Sequence, residues 1–200
     1  LGNSALFDLQ YSAPVEVVID AKTEFYFLRL TLDGYCQVLS ENQQASQQIG
    51  EISVSNPGRH NTIRTNQQCR NLVLKLSKAD LEKHLAEKLG YRPHEALLFD
   101  ASAINLDEYQ VIIETIHYIL QVHFHGEAMW ESLSANLTDY LLNLLILNIP
   151  NNFSSLLKTN RNHQVLPAYI RQAKQYLDEN LQSEISIDEL SQVCGVAQRT

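Results

Sequence analysis

The hydrophobic period of this chain changes once, at Ser77, and that change restricts the folds open to it. Before it, residues 24–76 read as strands. In "EFYFLRLTLDGYCQVLSE", Tyr26, Leu28, Leu30 and Leu32 share one face, and Phe25, Phe27, Arg29 and Thr31 share the other, which is the two-residue period of a β-strand. Asp33-Gly34 between two such runs predicts a short hairpin, because glycine supplies the positive φ the turn needs. More strands are expected in "QQIGEISVSNPGRHN", with turns at Gly50 and Pro57-Gly58, and in "CRNLVLKLS", where Leu72, Leu74 and Leu76 face one way. Several short strands with frequent turns predict a small barrel or sandwich.

After Ser77 the period is helical. Ser77-Lys78-Ala79-Asp80 has the form of a helix cap, since a serine oxygen can accept from the open amides of the first turn. The helix is expected to run to Leu89 and stop at Gly90. Two long helices follow. Over 106–125, Tyr109, Ile112, Ile116 and Ile119 form a stripe that Ile113, Leu120 and Phe124 widen; over 129–148 the stripe is Leu133, Leu137, Tyr140, Leu141 and Leu144. Wide stripes on consecutive helices pack together, and leftover apolar area can join two subunits. Leu133, Leu137, Tyr140 and Leu144 are therefore a candidate homodimer face, with a purely internal core as the alternative. Residues 151–166, rich in Asn and Ser, are expected to be an interdomain linker. Pro167 then opens a helix with Ile170, Ala173, Leu177 and Leu181 on its buried face.

Hydrophobic content of 44% describes an ordinary globular protein, and a net charge of −8, spread along the chain, excludes holding nucleic acid by bulk electrostatics. Cys36, Cys69 and Cys194 are odd in number and far apart, as expected of reduced thiols in a cytoplasmic protein. The longest apolar run, "YLLNLLILNIP", falls well short of the roughly 20 residues of a membrane helix, and no membrane association is expected. The chain opens on Leu1 and its only methionine is Met129, so both ends are expected to be cuts.

In "VHFHGEAMWE", His123, His125 and Glu127 have the spacing of a metal-binding strand. They close a helical pattern, however, and residues two apart on a helix point to opposite sides. No metal, cofactor or catalytic residue is expected, and no nucleophile elbow or phosphate-binding glycine loop is present. The plain reading of Arg29 is an outward arginine on a solvated face. Turned inward, it could pair with the carboxylate of a small effector. Tyr26, Tyr35, Asn56 and His60 are weaker effector-binding candidates, and His60 reads most simply as a loop histidine.

At the carboxyl end, Ser186-Ile187-Asp188-Glu189 is a capping box, in which Ser186 bonds the Glu189 amide and the Glu189 carboxylate reaches back. The helix it opens is expected to bury Ile187, Leu190 and Val193 and to turn at Cys194-Gly195-Val196. The segment "LPAYIRQAKQYLDENLQSEISIDELSQVCGVAQRT" resembles the start of the DNA-binding domain of AraC-type (AraC/XylS) transcription regulators. It matches at Ile185, Ile187, Leu190, Gly195, Val196 and Arg199, and departs at Ser191, where Ala is usual, and at Ala197, where a Ser cap is usual. Upstream, "FYFLRLTLDGYCQV", "IGEISVSNPGRHNTI" and "CRNLVLKLSKADLEKHL" resemble the cupin-type regulatory domain of the same family, and together the two cover about three-quarters of the chain.

The resemblance implies an α+β protein. A cupin-like regulatory barrel would occupy 1–100, helices that pack on it and dimerise 101–150, and an incomplete helix-turn-helix segment 167–200. It also implies a possible small-molecule effector, and for the full-length protein DNA and RNA polymerase as partners, with Gln198, Arg199 and Thr200 opening the recognition helix toward DNA. The competing expectations are a cupin-type enzyme, and a short interaction protein acting through mixed dimers.

Overall fold

The computed structural model describes residues 4–40, 43–100, 104–105, 109–162, 168–180 and 185–196. Its strands are β1 (Ala5–Gln10), β2 (Glu16–Ile19), β3 (Phe25–Asp33), β4 (Cys36–Ser40), β5 (Gln43–Gln47), β6 (Glu51–Ser55), β7 (Asn61–Thr65), β8 (Arg70–Ser77) and β9 (Ile104–Asn105). In place of a closed barrel the described strands form two sheets. One has the order β1-β8-β3-β6-β9 and the other β2-β7-β4-β5, and every pairing is antiparallel. Strands β1 and β2 have no counterpart in the sequence reading, because as edge strands they keep much of their length exposed and show no clear apolar alternation.

The expected β3–β4 hairpin is not formed: β3 pairs with β6 and β8, whereas β4 pairs with β5 and β7 in the other sheet. Asp33-Gly34 is a tight turn as expected, with Gly34 at φ +67° and its amide donating to Asp33 Oδ1 at 2.8 Å, but it carries the chain from one sheet to the other. The turn is docked on the β7–β8 connection. Tyr35 N donates to Asn66 Oδ1 at 2.9 Å, and a Cβ on Gly34 would meet that oxygen at 2.6 Å and Cys69 Cα at 2.9 Å. Turn chemistry specifies a reversal of the chain and does not specify which strand lies beside it.

The alternation of β3 sorts its side chains between two environments. Tyr26, Leu28 and Leu30 join Ile52 and Val54 of β6 and Leu74 and Leu76 of β8 in the main core, under the helices. Those helices are α1 (Lys78–Leu89), α2 (Gln110–His125), α3 (Glu127–Asn148) and α4 (Ser154–Asn162), followed by α5 (Ala168–Glu179) and α6 (Ile187–Cys194). Helix α1 starts and stops as the sequence predicts, with Ser77 Oγ accepting from Asp80 N at 3.3 Å and Gly90 at φ +78°. Leu81 and Leu85 of α1, Ile112, Ile116 and Ile119 of α2, and Leu141, Leu142 and Leu145 of α3 complete the core. Phe124, expected to widen the α2 stripe, is 79% exposed near the helix end.

The linker expected at 151–166 is, over Ser154–Asn162, the helix α4, with Phe153 and Leu157 buried in the main core. Of the asparagines that suggested an irregular segment, Asn151 is a capping group, and Asn152 binds the backbone of Ala96 and Leu98. Asn151 Nδ2 donates to the carbonyls of Ile146 and Ile149, both at 2.9 Å, and its Oδ1 accepts from Phe153 N at 2.9 Å. Such residues favour helix ends because they satisfy backbone groups that the helix leaves open.

At α6 the Ser186 half of the expected capping box is formed, with Ser186 Oγ accepting from Glu189 N at 3.1 Å and Gly195 left-handed at φ +64°, but the Glu189 carboxylate is engaged elsewhere. The Glu189 carboxylate accepts from Tyr176 Oη of α5 at 2.6 Å, tying the two helices together. The burial expected of α6 is not found: Ile187 is 69% exposed, Val193 is exposed, and Leu190 is half-buried. On α5, Ala173 is half-buried and Leu177 exposed, while the side chains of Ile170 and Leu181 lie outside the described residues. An apolar stripe in sequence marks a face able to be covered, and on α6 the described residues leave that face open.

Candidate functional site

The second face of β3 looks at the other sheet, and its composition is unusual for an interior. Register places side chains in rows across the larger sheet, because directly opposed residues of an antiparallel pair share a face. Leu9, Asn71 and Thr31 form one row; Phe7, Val73, Arg29 and Ser53 the next; Ala5, Lys75, Phe27 and Ser55 the third. The facing sheet contributes Cys36, Val38 and Ile63, which with Cys69 form a small separate core supported by Tyr11, Val17 and Ile19.

One end of this inter-sheet space is closed by polar side chains that satisfy one another. Gln47 of β5 is fully buried; its Nε2 donates to Arg29 O at 2.8 Å and to Glu51 O at 2.7 Å, and its Oε1 accepts from Ser53 Oγ at 2.6 Å. Thr31 Oγ1 donates to Asn71 Oδ1 at 3.1 Å, and Asn71 Nδ2 donates to Cys69 Sγ at 3.3 Å. The amide of Gln47 thereby holds the two sheets together where no backbone ladder does so.

Arg29 is the exception within this network. It is 5% exposed, and its Nη1 has no hydrogen-bond partner. Its electrostatic neighbours are Cys36, Tyr11 and Cys69, and burial pulls the guanidinium below its usual range. The same burial pushes the Cys36 and Cys69 thiols and the Tyr11 phenol up, so these neighbours stay neutral at physiological pH and give the cation no counter-charge. Among the described residues no carboxylate forms an ion pair with Arg29. A desolvated cation without an anion costs several kcal/mol, and arginine does not escape by losing its proton. An anion placed beside Nη1 would remove that cost.

Four buried side-chain polar atoms among the described residues lack a partner: Arg29 Nη1, Ser55 Oγ, Ser4 Oγ and Asn143 Oδ1. The first two lie on the same inter-sheet face, in adjacent rows. Beside them Phe25 and Phe27 are half-buried, and Phe7 and Leu9 are 43% and 37% exposed. None of these four apolar side chains belongs to either buried core. Lys75 shares the face, with its Nζ 3.7 Å above the Phe25 ring.

Comparison with known proteins settles the family. A family model described as an AraC-binding-like domain matches residues 1–111. The chain belongs to this family. An XylDLEGF operon transcriptional activator 1 of Pseudomonas putida is 23% identical over 202 residues, covering 100% of this chain and 60% of that protein. An XylDLEGF operon transcriptional activator 3 of the same organism is 20% identical over 199 residues, covering 100% of this chain and 58% of its own length. The chain thus spans less than two thirds of these relatives. Among solved structures, the AraC-like transcriptional activator CuxR superposes with a TM-score of 0.54 at 10% identity, covering 97% of this chain and 68% of CuxR, which is a likeness of fold.

In this AraC-binding-like chain the five effector-site candidates are not gathered in one place. Arg29 faces the inter-sheet space, and the outward, solvated reading of it is overturned by its burial. Tyr26 lies on the opposite face, in the main core, where its Oη donates to Leu97 O at 2.7 Å and its ring meets Phe99 edge-on at 5.5 Å. Asn56 is occupied by the backbone of Phe99, donating to its carbonyl at 2.8 Å and accepting from its amide at 2.9 Å. Tyr35 is 47% exposed in the turn between the sheets, and His60 is exposed in the loop after Gly58. The alternation of β3 had already put Phe27 on the face of Arg29, whereas Ser55 and Phe7 were not signalled in the sequence, because a face shared across strands is fixed by register, which no single strand encodes.

The other candidate residues fall on the helices. His123 stacks edge-on against Trp130 at 4.9 Å, and His125 Nδ1 bonds Gln121 O at 2.6 Å. On α3, Leu133, Leu137 and Leu144 are half-buried and Tyr140 is 52% exposed. Gln198, Arg199 and Thr200 lie outside the described residues. A cavity of about 320 Å³ lined by Arg59, Leu98, Asp100 and Asn151 lies at the junction with the helices, away from Arg29. No helix among the described residues is long and apolar enough to cross a membrane.

Proposed function

We propose that this chain is the effector-sensing and dimerising portion of an AraC-type transcription regulator, and that Arg29 receives an anionic group of a small organic effector between the two sheets. The observation that carries the reading is the buried guanidinium with an unpartnered Nη1 and no carboxylate paired to it. A ligand carboxylate would supply that missing charge with geometry suited to a guanidinium. The half-exposed Phe7, Leu9 and Phe27 on the same face offer an apolar surface for its body. An enzymatic role is not proposed. The comparisons pair this chain with transcriptional activators.

The wider mechanism follows from linkage. An effector that binds one dimer geometry more tightly shifts the population toward it, and no other property of the ligand can do so. The α3 stripe of Leu133, Leu137, Tyr140 and Leu144 is the proposed dimer face, its partly exposed apolar area supporting that role. For the full-length protein we propose sequence-specific DNA binding, with Gln198, Arg199 and Thr200 at the start of the recognition helix, and contact with RNA polymerase. The test is calorimetric titration of small carboxylic acids into the wild-type chain and into Arg29→Gln. Saturable binding that weakens roughly 10- to 150-fold in the variant is expected, the range for a hydrogen bond to a charged group. Equal affinity for both proteins would refute the reading.

A further inference from the structure

On β6, register places Ser53 opposite Arg29 and Ser55 opposite Phe27, so both serines look into the inter-sheet space. They differ in their bonding. Ser53 Oγ donates to Gln47 Oε1 at 2.6 Å, whereas Ser55 Oγ, on a residue 1% exposed, has no partner. A buried hydroxyl left unsatisfied destabilises the fold, and nothing on its own face relieves it. Of its row-mates, Phe27 and Ala5 carry no side-chain polar atom, and the Lys75 ammonium is held over the Phe25 ring at 3.7 Å.

Arg29 and Ser55 are diagonal neighbours on paired strands, a relation that sets their Cα atoms about 7–8 Å apart. Two unsatisfied groups of different chemistry therefore stand at fixed separation on one face, with Phe27 beside both of them. One is a cation that demands an anion; the other is a neutral hydroxyl that both donates and accepts.

Building on the anion-receptor reading above, we propose that Ser55 is a specificity-determining residue, and that the effector is a small organic acid carrying a second, uncharged hydrogen-bonding group, a hydroxyl or carbonyl, a few bonds from its carboxylate. The carboxylate meets Arg29, the apolar body lies along Phe27, and the second polar group meets Ser55 Oγ. A simple alkyl or aryl acid would occupy the same receptor but leave Ser55 unsatisfied. Because Ser55 is unsatisfied before any ligand arrives, the preference equals the gain of one neutral hydrogen bond.

The test uses the 200-residue chain and matched acids differing by one hydroxyl: cyclohexanecarboxylate with its 3- and 4-hydroxy derivatives, and hexanoate with 4- and 5-hydroxyhexanoate. Titration calorimetry is run on wild type, Ser55→Ala and Arg29→Gln. In each series one hydroxylated acid should bind wild type roughly 3- to 10-fold more tightly than its parent, the range of a net neutral hydrogen bond. Ser55→Ala should erase that preference while leaving the parent acid's affinity within about twofold, which a merely structural serine would not do. If the acids bind and weaken in Arg29→Gln but show no hydroxyl preference, or keep it in Ser55→Ala, this inference falls and the anion-receptor reading stands. If no acid binds wild type, or binding ignores Arg29→Gln, the anion-receptor reading falls and takes this inference with it.

Discussion

Replacing Arg29 by methionine should make the ligand-free protein more stable. The guanidinium is 5% exposed, its Nη1 is unpartnered, and burial depresses its affinity for its own proton. Each of these is an unfavourable contribution to the folded state, and none exists in the unfolded chain. Leaving one buried donor unsatisfied costs about 1–3 kcal/mol, and more when the group is charged. Methionine keeps much of the side chain's apolar length and fills irregular space well, so little packing is lost. For a chain of this size 1 kcal/mol moves the melting midpoint by about 2–4 °C. The expected gain is therefore roughly 2–12 °C, read by circular dichroism melts of ligand-free protein at neutral pH. Arg29→Lys, which keeps the charge, should show no comparable gain. A midpoint lowered by several degrees in Arg29→Met would mean that the guanidinium is already well paired, and the receptor argument would collapse.

Gly34→Ala should cost at least about 1 kcal/mol in urea denaturation, since the new Cβ meets backbone at 2.9 Å in a left-handed residue; a neutral substitution would show that the two connections are not docked. Leu157→Ala should destabilise by about 2–5 kcal/mol because α4 belongs to the core, whereas a true linker position would change stability by under 0.5 kcal/mol. Burial holds the Cys36 and Cys69 thiols above their ordinary value of 9.0. The folded protein thus keeps protons that the unfolded chain releases, and stability present below pH 9 should fall as pH rises beyond it. Urea melts at pH 7.5 and 9.5 on wild type and on a Cys36→Ala/Cys69→Ala variant check this, the variant showing the shallower loss. In thiol labelling of the native protein half-exposed Cys194 should react first, with Cys36 and Cys69 modified only on unfolding.

What the sequence made legible is local. The strand-to-helix change at Ser77, the caps of α1 and α6 and the alternation of β3 are each set by residues within a few positions of one another, and each is present. The errors concern partners distant in sequence. Asp33-Gly34 encodes a turn but not the sheet that follows it, and Asn151 encodes a cap that reads as loop until Phe153 is seen in the core. Arg29 was visible as a polar residue in an apolar run, yet which way it faced depended on a second sheet covering it. Ser55 was invisible because its significance lies in having no partner, and only the complete set of contacts reveals that.

The path of the chain between the sheets also governs how the protein can be built. Among the described strands only β4 and β5 are both consecutive and paired; β1 must wait for β8, joining Ala5 to Lys75, and β2 must wait for β7, joining Glu16 to Arg64. Loop-closure entropy has to be met before such distant contacts give anything back, and proteins dominated by them fold in milliseconds to seconds rather than microseconds. A chain emerging from the ribosome could therefore complete the smaller sheet only when Thr65 was available, and the larger only when Asn105 was. Until the smaller sheet covers them, the inner faces of β3 and β6, Arg29 and Ser55 among them, would stand open to water.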